Sequence, residues 1–156
     1  MTSGVRASLS YPPDPGDPAS IIEETIMTTT ELSGITAFLD RLADTWKTND
    51  GTALSELFTA DGSLINPFGE RADGRNGVAA MYGEYFRGML AGTTTSCTLE
   101  RTRAVDGDHA LLDAEQIITA PTGETALTVH LSALLRRDGD GWRFVDCRPY
   151  VVADRP

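Results

Sequence analysis

Leu32, Ile35, Leu39, Leu42 and Trp46 recur at three- and four-residue steps. That period predicts an amphipathic helix from about Glu31 to Asn49 with one apolar stripe. Thr28-x-x-Glu31 has capping-box spacing ahead of it, and Asn49-Asp50-Gly51 breaks it. A short helix is expected over Thr52–Phe58, burying Leu54, Leu57 and Phe58. Ala60-Asp61-Gly62 then turns the chain into a strand over Ser63–Phe68. Asn76 opens a second long helix whose stripe, Val78, Met81, Tyr82, Tyr85, Phe86 and Met89, is unusually aromatic. Gly88 and Gly92 end it. Thereafter the period shortens to two. Strands are predicted over 94–105, 108–120, 125–137 and 142–152, parted by Asp106-Gly107, Pro121-Thr122-Gly123-Glu124 and Asp138-Gly139-Asp140-Gly141.

Helices first and an antiparallel meander afterwards make an α+β pattern. Strands of ten or more residues twist strongly, so the sheet curls around the helices and leaves a cone with an open end. One domain over 28–156 is expected. Residues 1–27, with Pro12, Pro13, Pro15 and Pro18, are expected to form a flexible Pro-rich extension, because proline lacks the N–H that ladders and helices need. Asn66-Pro67-Phe68-Gly69 ends the short strand abruptly and is expected at the mouth of the cone.

Side-chain alternation assigns the faces of the sheet. If the turn at 138–141 pairs Arg137 with Trp142, then Leu135 faces Phe144, Ala133 faces Asp146, Leu131 faces Arg148 and Val129 faces Tyr150. The turn at 121–124 pairs Leu127 with Ile118, Val129 with Gln116, Leu131 with Ala114 and Ala133 with Leu112. The inner face therefore carries four polar groups in apolar company: Gln116, Asp146, Arg148 and Tyr150. The outer face collects Asp113, Glu115, Thr128, His130, Ser132, Arg136 and Arg143, with His130 across from Glu115. A His–Glu pair on such a face is usually a surface contact worth a few tenths of a kcal/mol.

Asp146-x-Arg148 places a carboxylate and a guanidinium on one side of a strand, about 7 Å apart. One use of them is an ion pair bracing the cone. The other makes Arg148 a binder of a carbonyl, enolate or carboxylate and Asp146 a general base or the anchor of Arg148. Trp46, Phe58, Phe68, Met81, Tyr85 and Phe86 are the expected pocket walls, with Tyr82, Tyr85 and Tyr150 offering phenolic hydrogen bonds. Asn66 shares parity with Leu64 and Phe68, so its amide either lines the cavity or satisfies the turn before Pro67.

Charge narrows the partners. Asp and Glu outnumber Lys and Arg by 23 to 13 in 156 residues, a net charge of −10. That field repels phosphate backbones and anionic lipid, so neither nucleic acid nor membrane is an expected partner. His109 and His130 are the two histidines, and neither has a second ligand at metal spacing. No phosphate-binding loop, dinucleotide fingerprint or nucleophile elbow is present. No metal and no cofactor are expected. Cys97 and Cys147 read as reduced packing residues of a cytoplasmic protein.

The order of the pieces, a helix ending in Trp, "ALSELFTADGSLINPFG", "GRNGVAAMYGEYFRG" and "LLRRDGDGWRFVDCRPY", resembles the SnoaL-like branch of the NTF2-like superfamily. Within it the chain looks like the SgcJ/EcaC group found with enediyne polyketide biosynthesis. The likeness spans about residues 30–152. It implies an NTF2-like (cystatin-like) cone, a curved antiparallel sheet wrapped around about three N-terminal helices. It also implies a homodimer through the outer sheet face, around His130 and Glu115. In the cyclase and isomerase branches a carboxylate inside the cone moves a proton, which falls here to Asp146. Epoxide-hydrolase relatives set an Arg between two Asp residues, and here Asp146 and Arg148 have no second inward Asp. The function that follows is a cofactor-independent pocket protein acting on an apolar polyketide or polyene intermediate. The alternative is a non-catalytic module that holds an intermediate or docks to a synthase, since fold does not fix activity.

Overall fold

A computed structural model of the chain describes residues 4–6, 26–139 and 141–156. The flexibility expected of the N-terminal extension falls largely outside the described residues. Strand β1 (Gly4–Arg6) pairs antiparallel with β2 (Ile26–Thr28). Helix α1 (Thr29–Trp46) follows directly, and its capping box is formed. The Thr28 hydroxyl accepts from the Glu31 N–H at 3.1 Å, while the Glu31 carboxylate accepts from the Thr28 N–H at 2.8 Å. The apolar stripe is buried as its period requires, with Phe38 added to it. Asn49 adopts φ of 51° just after the helix, and its side chain accepts from Gly92 N–H at 2.6 Å, tying this end of α1 to the start of the sheet.

Helix α2 (Gly51–Ser55) is shorter than expected, because Phe58 already belongs to β3 (Phe58–Ile65). Between Phe58 and Ser63 the register against the neighbouring strand slips: five steps on one side match two on the other. The predicted break at Ala60-Asp61-Gly62 is thus an irregularity inside a strand. Asn66 to Gly69 then reverses the chain into β4 (Arg71–Asp73), and α3 (Gly74–Arg87) begins at Gly74, where φ is +74°. Four long strands complete the fold: β5 (Thr94–Ala104), β6 (His109–Thr119), β7 (Thr125–Asp138) and β8 (Gly141–Tyr150).

The main sheet has the order β4-β3-β8-β7-β6-β5, antiparallel throughout except for the parallel β3–β8 pair. Helix α1 lies against β5 and β8, α3 against β3, and α2 against α3. One hydrophobic core runs between helices and sheet, from Met27 to Cys147, with Phe144 packed edge-on to Phe38 at 4.8 Å. The α+β cone is the fold the chain adopts.

Register decides what the inner face carries. The β6–β7 pairing is as alternation predicts, including Val129 with Gln116 and Leu131 with Ala114. The β7–β8 pairing agrees at Arg137–Trp142 and Leu135–Phe144, and then shifts. Leu134 pairs with Asp146, Ser132 with Arg148 and His130 with Tyr150, which leaves Val145 as the extra residue of a β-bulge. A one-residue slip exchanges faces. Cys147 and Pro149 consequently replace Asp146, Arg148 and Tyr150 on the hollow side. A second bulge lies between Leu99 and Arg101, and it puts Arg101 and Arg103 opposite Asp113 and Leu111 on the outer face.

Candidate functional site

The β3–β4 turn and the end of α3 frame a pocket at the open end of the cone. Its walls are Trp46, Leu64, Pro67, Tyr82, Leu90, Ile118, Leu127, Val129 and Pro149, with Asn66, Tyr85 and Gln116 as its polar members and Phe68 and Met89 at the mouth. Water can enter about 60 Å³ of it. That space admits one ring or the end of a longer molecule. Phe68 is 68% exposed and Met89 59%, so the mouth presents two large apolar side chains to solvent.

Each wall is set by a local rule. Trp46 sits at the last position of α1, and its indole N–H donates to Thr93 Oγ1 at 2.9 Å, so a buried ring keeps its polar atom satisfied. Tyr82 is packed between Trp46, at 5.7 Å edge-on, and Phe86, at 5.8 Å stacked. Burial pushes its phenol pKa far above the ordinary range, and nearby Cys147, Tyr85 and Cys97 add to this. Burial likewise pushes the Cys97 thiol up to about 12 and holds the Cys147 thiol protonated. The Tyr82 phenol in the pocket wall therefore stays uncharged.

Asn66 organises the mouth. Its side-chain oxygen accepts from Phe68 N–H at 3.0 Å and Glu70 N–H at 2.9 Å, the turn duty of an Asx residue. Its amide nitrogen donates to Tyr85 Oη and, at 3.2 Å, to Glu70 Oε1. Tyr85 Oη donates to the same Glu70 oxygen at 3.3 Å. Burial and the Glu70 carboxylate raise the Tyr85 pKa, so the phenol keeps its proton. Gln116, in the middle of β6, is 4% exposed, and its Nε2 has no hydrogen-bond partner among the described residues.

The expected site residues separate into three groups. Trp46, Asn66, Phe68, Tyr82, Tyr85 and Gln116 meet at the pocket. Phe58, Met81 and Phe86 lie in or against the core behind its walls; Phe58 packs on Phe144 at 5.0 Å. Asp146, Arg148 and Tyr150 are on the outer face, contrary to the expectation from simple alternation. There Asp146 accepts from Ser63 Oγ at 3.0 Å and from Arg148 Nε at 2.8 Å, and the Arg148 side chain is 60% exposed. The physical reason is the bulge at Val145. An inward Asp146 and Arg148 would have required two charges to leave water, a penalty of several kcal/mol per ion. His130 has Glu115 opposite, as expected, but its ring bonds Glu100 at 3.0 Å and stacks on Tyr150 at 5.4 Å. Pro149, Leu90 and Glu70 were not foreseen. The spacing Trp142, Phe144, Cys147 was the available signal, since two steps followed by three is what a bulge leaves in a buried strand.

Residues 35–147 match the SnoaL-like domain family. The chain belongs to that family. Its fold is shared by solved structures of low identity. A domain of unknown function with a cystatin-like fold from Nostoc punctiforme superposes with a TM-score of 0.72 at 21% identity, covering 82% of this chain and 81% of that one. An NTF2-like protein with a cystatin-like fold from Novosphingobium aromaticivorans gives 0.64 at 21%, over 89% and 90%. Aln2 from a Streptomyces species gives 0.61 at 17%, over 76% and 89%. A comparison with curated proteins found no match. Among the described residues of this SnoaL-like chain, no cluster of three or more His, Cys, Asp or Glu could hold a metal ion. Among the described residues no helix is long and apolar enough to cross a membrane.

Proposed function

We propose that this SnoaL-like chain is a binding protein for a small apolar molecule of polyketide or polyene type, in secondary-metabolite and specifically enediyne biosynthesis, and that it holds the molecule without supplying a base. The observation that carries this reading is the composition of the pocket: apolar walls, neutral hydrogen-bonding groups and no carboxylate or histidine among its lining residues. A general base has to reach the proton it removes, and the outward Asp146 does not. The molecule would enter past Phe68 and Met89, with any part larger than one ring projecting from the mouth.

The same reading includes a cytoplasmic protein with reduced thiols and a homodimer through the outer sheet face. Supporting the dimer, that face is left uncovered by the helices among the described residues and carries half-buried Leu111, Ile117 and Leu134 beside His130 and an exposed Tyr150. Leu134→Lys is expected to convert the dimer to monomer in light scattering, and a wild-type monomer removes this part of the reading.

The binding test is direct. Val129→Trp fills the pocket and should abolish binding of naphthalene, followed by fluorescence, while Asp146→Asn should leave it unchanged. Naphthalene bound equally by wild type and Val129→Trp would place the ligand elsewhere. A second reading, catalysis by proton transfer, is favoured by one observation: Tyr85 and Glu70 share a hydrogen bond at the mouth. It requires that Glu70→Gln cause an intermediate to accumulate in the producing cell while naphthalene affinity is retained.

A further inference from the structure

The unpaired Nε2 of Gln116 is the one buried side-chain nitrogen or oxygen without a hydrogen-bond partner among the described residues. A buried donor left unmade is destabilising, and native proteins rarely keep one without a use. Gln116 sits between Cys97 on β5 and Val129 on β7, and it lines the pocket together with Ile118, Leu127 and Val129. Nothing cationic lines the pocket to compensate an anion. A carboxylate or phosphate would have to shed its water against apolar walls, at a penalty one amide N–H does not offset. A pure hydrocarbon would leave the amide unpaired.

We propose that Gln116 is the specificity-determining residue of the pocket: its ligand is uncharged, and a ketone-type oxygen on an apolar ring or chain accepts the Nε2–H bond at the inner end once the amide, whose Nε2 is closed off in the free protein, turns about its terminal bond. The proposal rests on the pocket-binding reading above and narrows it to a chemical class. Discrimination should be strong in one direction, because a site built around a buried polar group penalises the analogue that cannot pair with it.

Acetophenone and ethylbenzene test this as a matched pair, alike in shape and differing at the carbonyl. The full chain is titrated with each by calorimetry, as wild type, Gln116→Leu and Gln116→Met, with circular dichroism showing which variants fold. The expected result is a loss of about tenfold or more in acetophenone affinity for a folded variant, with ethylbenzene affinity unchanged or improved. The infrared carbonyl stretch of bound acetophenone should also lie lower in wild type than in the variant. Equal acetophenone affinity in wild type and variant, or parallel loss of both probes, overturns the proposal. Ethylbenzene binding with no acetophenone binding also overturns it but leaves the pocket reading standing. Failure of both probes to bind the wild-type chain removes the pocket reading and this inference with it.

Discussion

An amide nitrogen sealed from water with nothing to bond destabilises the free protein by about 1–3 kcal/mol. Gln116→Leu should therefore raise the urea midpoint, by about 1 kcal/mol in unfolding free energy, while it weakens binding of a ketone. A residue that serves only the core would not separate those two effects. Asp146 is the contrasting case. Its bonds to Ser63 and Arg148 lie on a partly solvated surface, so Asp146→Asn should cost less than about 1 kcal/mol in urea denaturation and leave ligand affinity alone. The residue types for both roles were visible in the chain, and parity alone placed Gln116. Parity alone also misplaced Asp146, since a single extra residue at Val145 inverts every position after it.

Among the elements, α1 is the best defined by its own residues. Its capping box satisfies two backbone donors that the helix cannot. Thr28→Ala is expected to cost about 1 kcal/mol, seen as a lower denaturant midpoint with an unchanged slope. Helix α2 depends instead on a close approach. A Cβ at Gly51 would lie 2.5 Å from Ala79 O and closer still to Gly83 N, both backbone atoms of α3. Gly51→Ala should therefore push the two helices apart and cost about 1–3 kcal/mol by the same measurement. The bulge at Val145 and the irregular β3 belong to this scale as well. They come from the need to keep Phe58, Phe144 and Cys147 buried together, which no segment specifies alone.

For the whole molecule, the buried acids set a pH limit. Cys97, Cys147 and Tyr82 hold their protons to higher pH in the folded chain than in the unfolded one. The folded state then binds more protons above the ordinary thiol range, so stability must fall as pH rises. Thermal midpoints should be flat near neutrality and decline from about pH 9, the ordinary thiol value, toward the Cys97 value of about 12. Replacing both cysteines by alanine should flatten the decline. Hydrophobic period, turn residues and cap spacing determined the order of the long helices and strands, the cone and most of its inward apolar residues, because each is a local consequence of backbone geometry. The three-residue strands Gly4–Arg6, Ile26–Thr28 and Arg71–Asp73 carry too few residues for a period to show. Only the tertiary structure decided that the conspicuous ion pair lies outside and that a neutral amide is left unpaired within. Strand register is fixed by the joint burial of residues far apart in the chain, and a one-residue bulge that costs little locally reassigns a whole strand end to the other face.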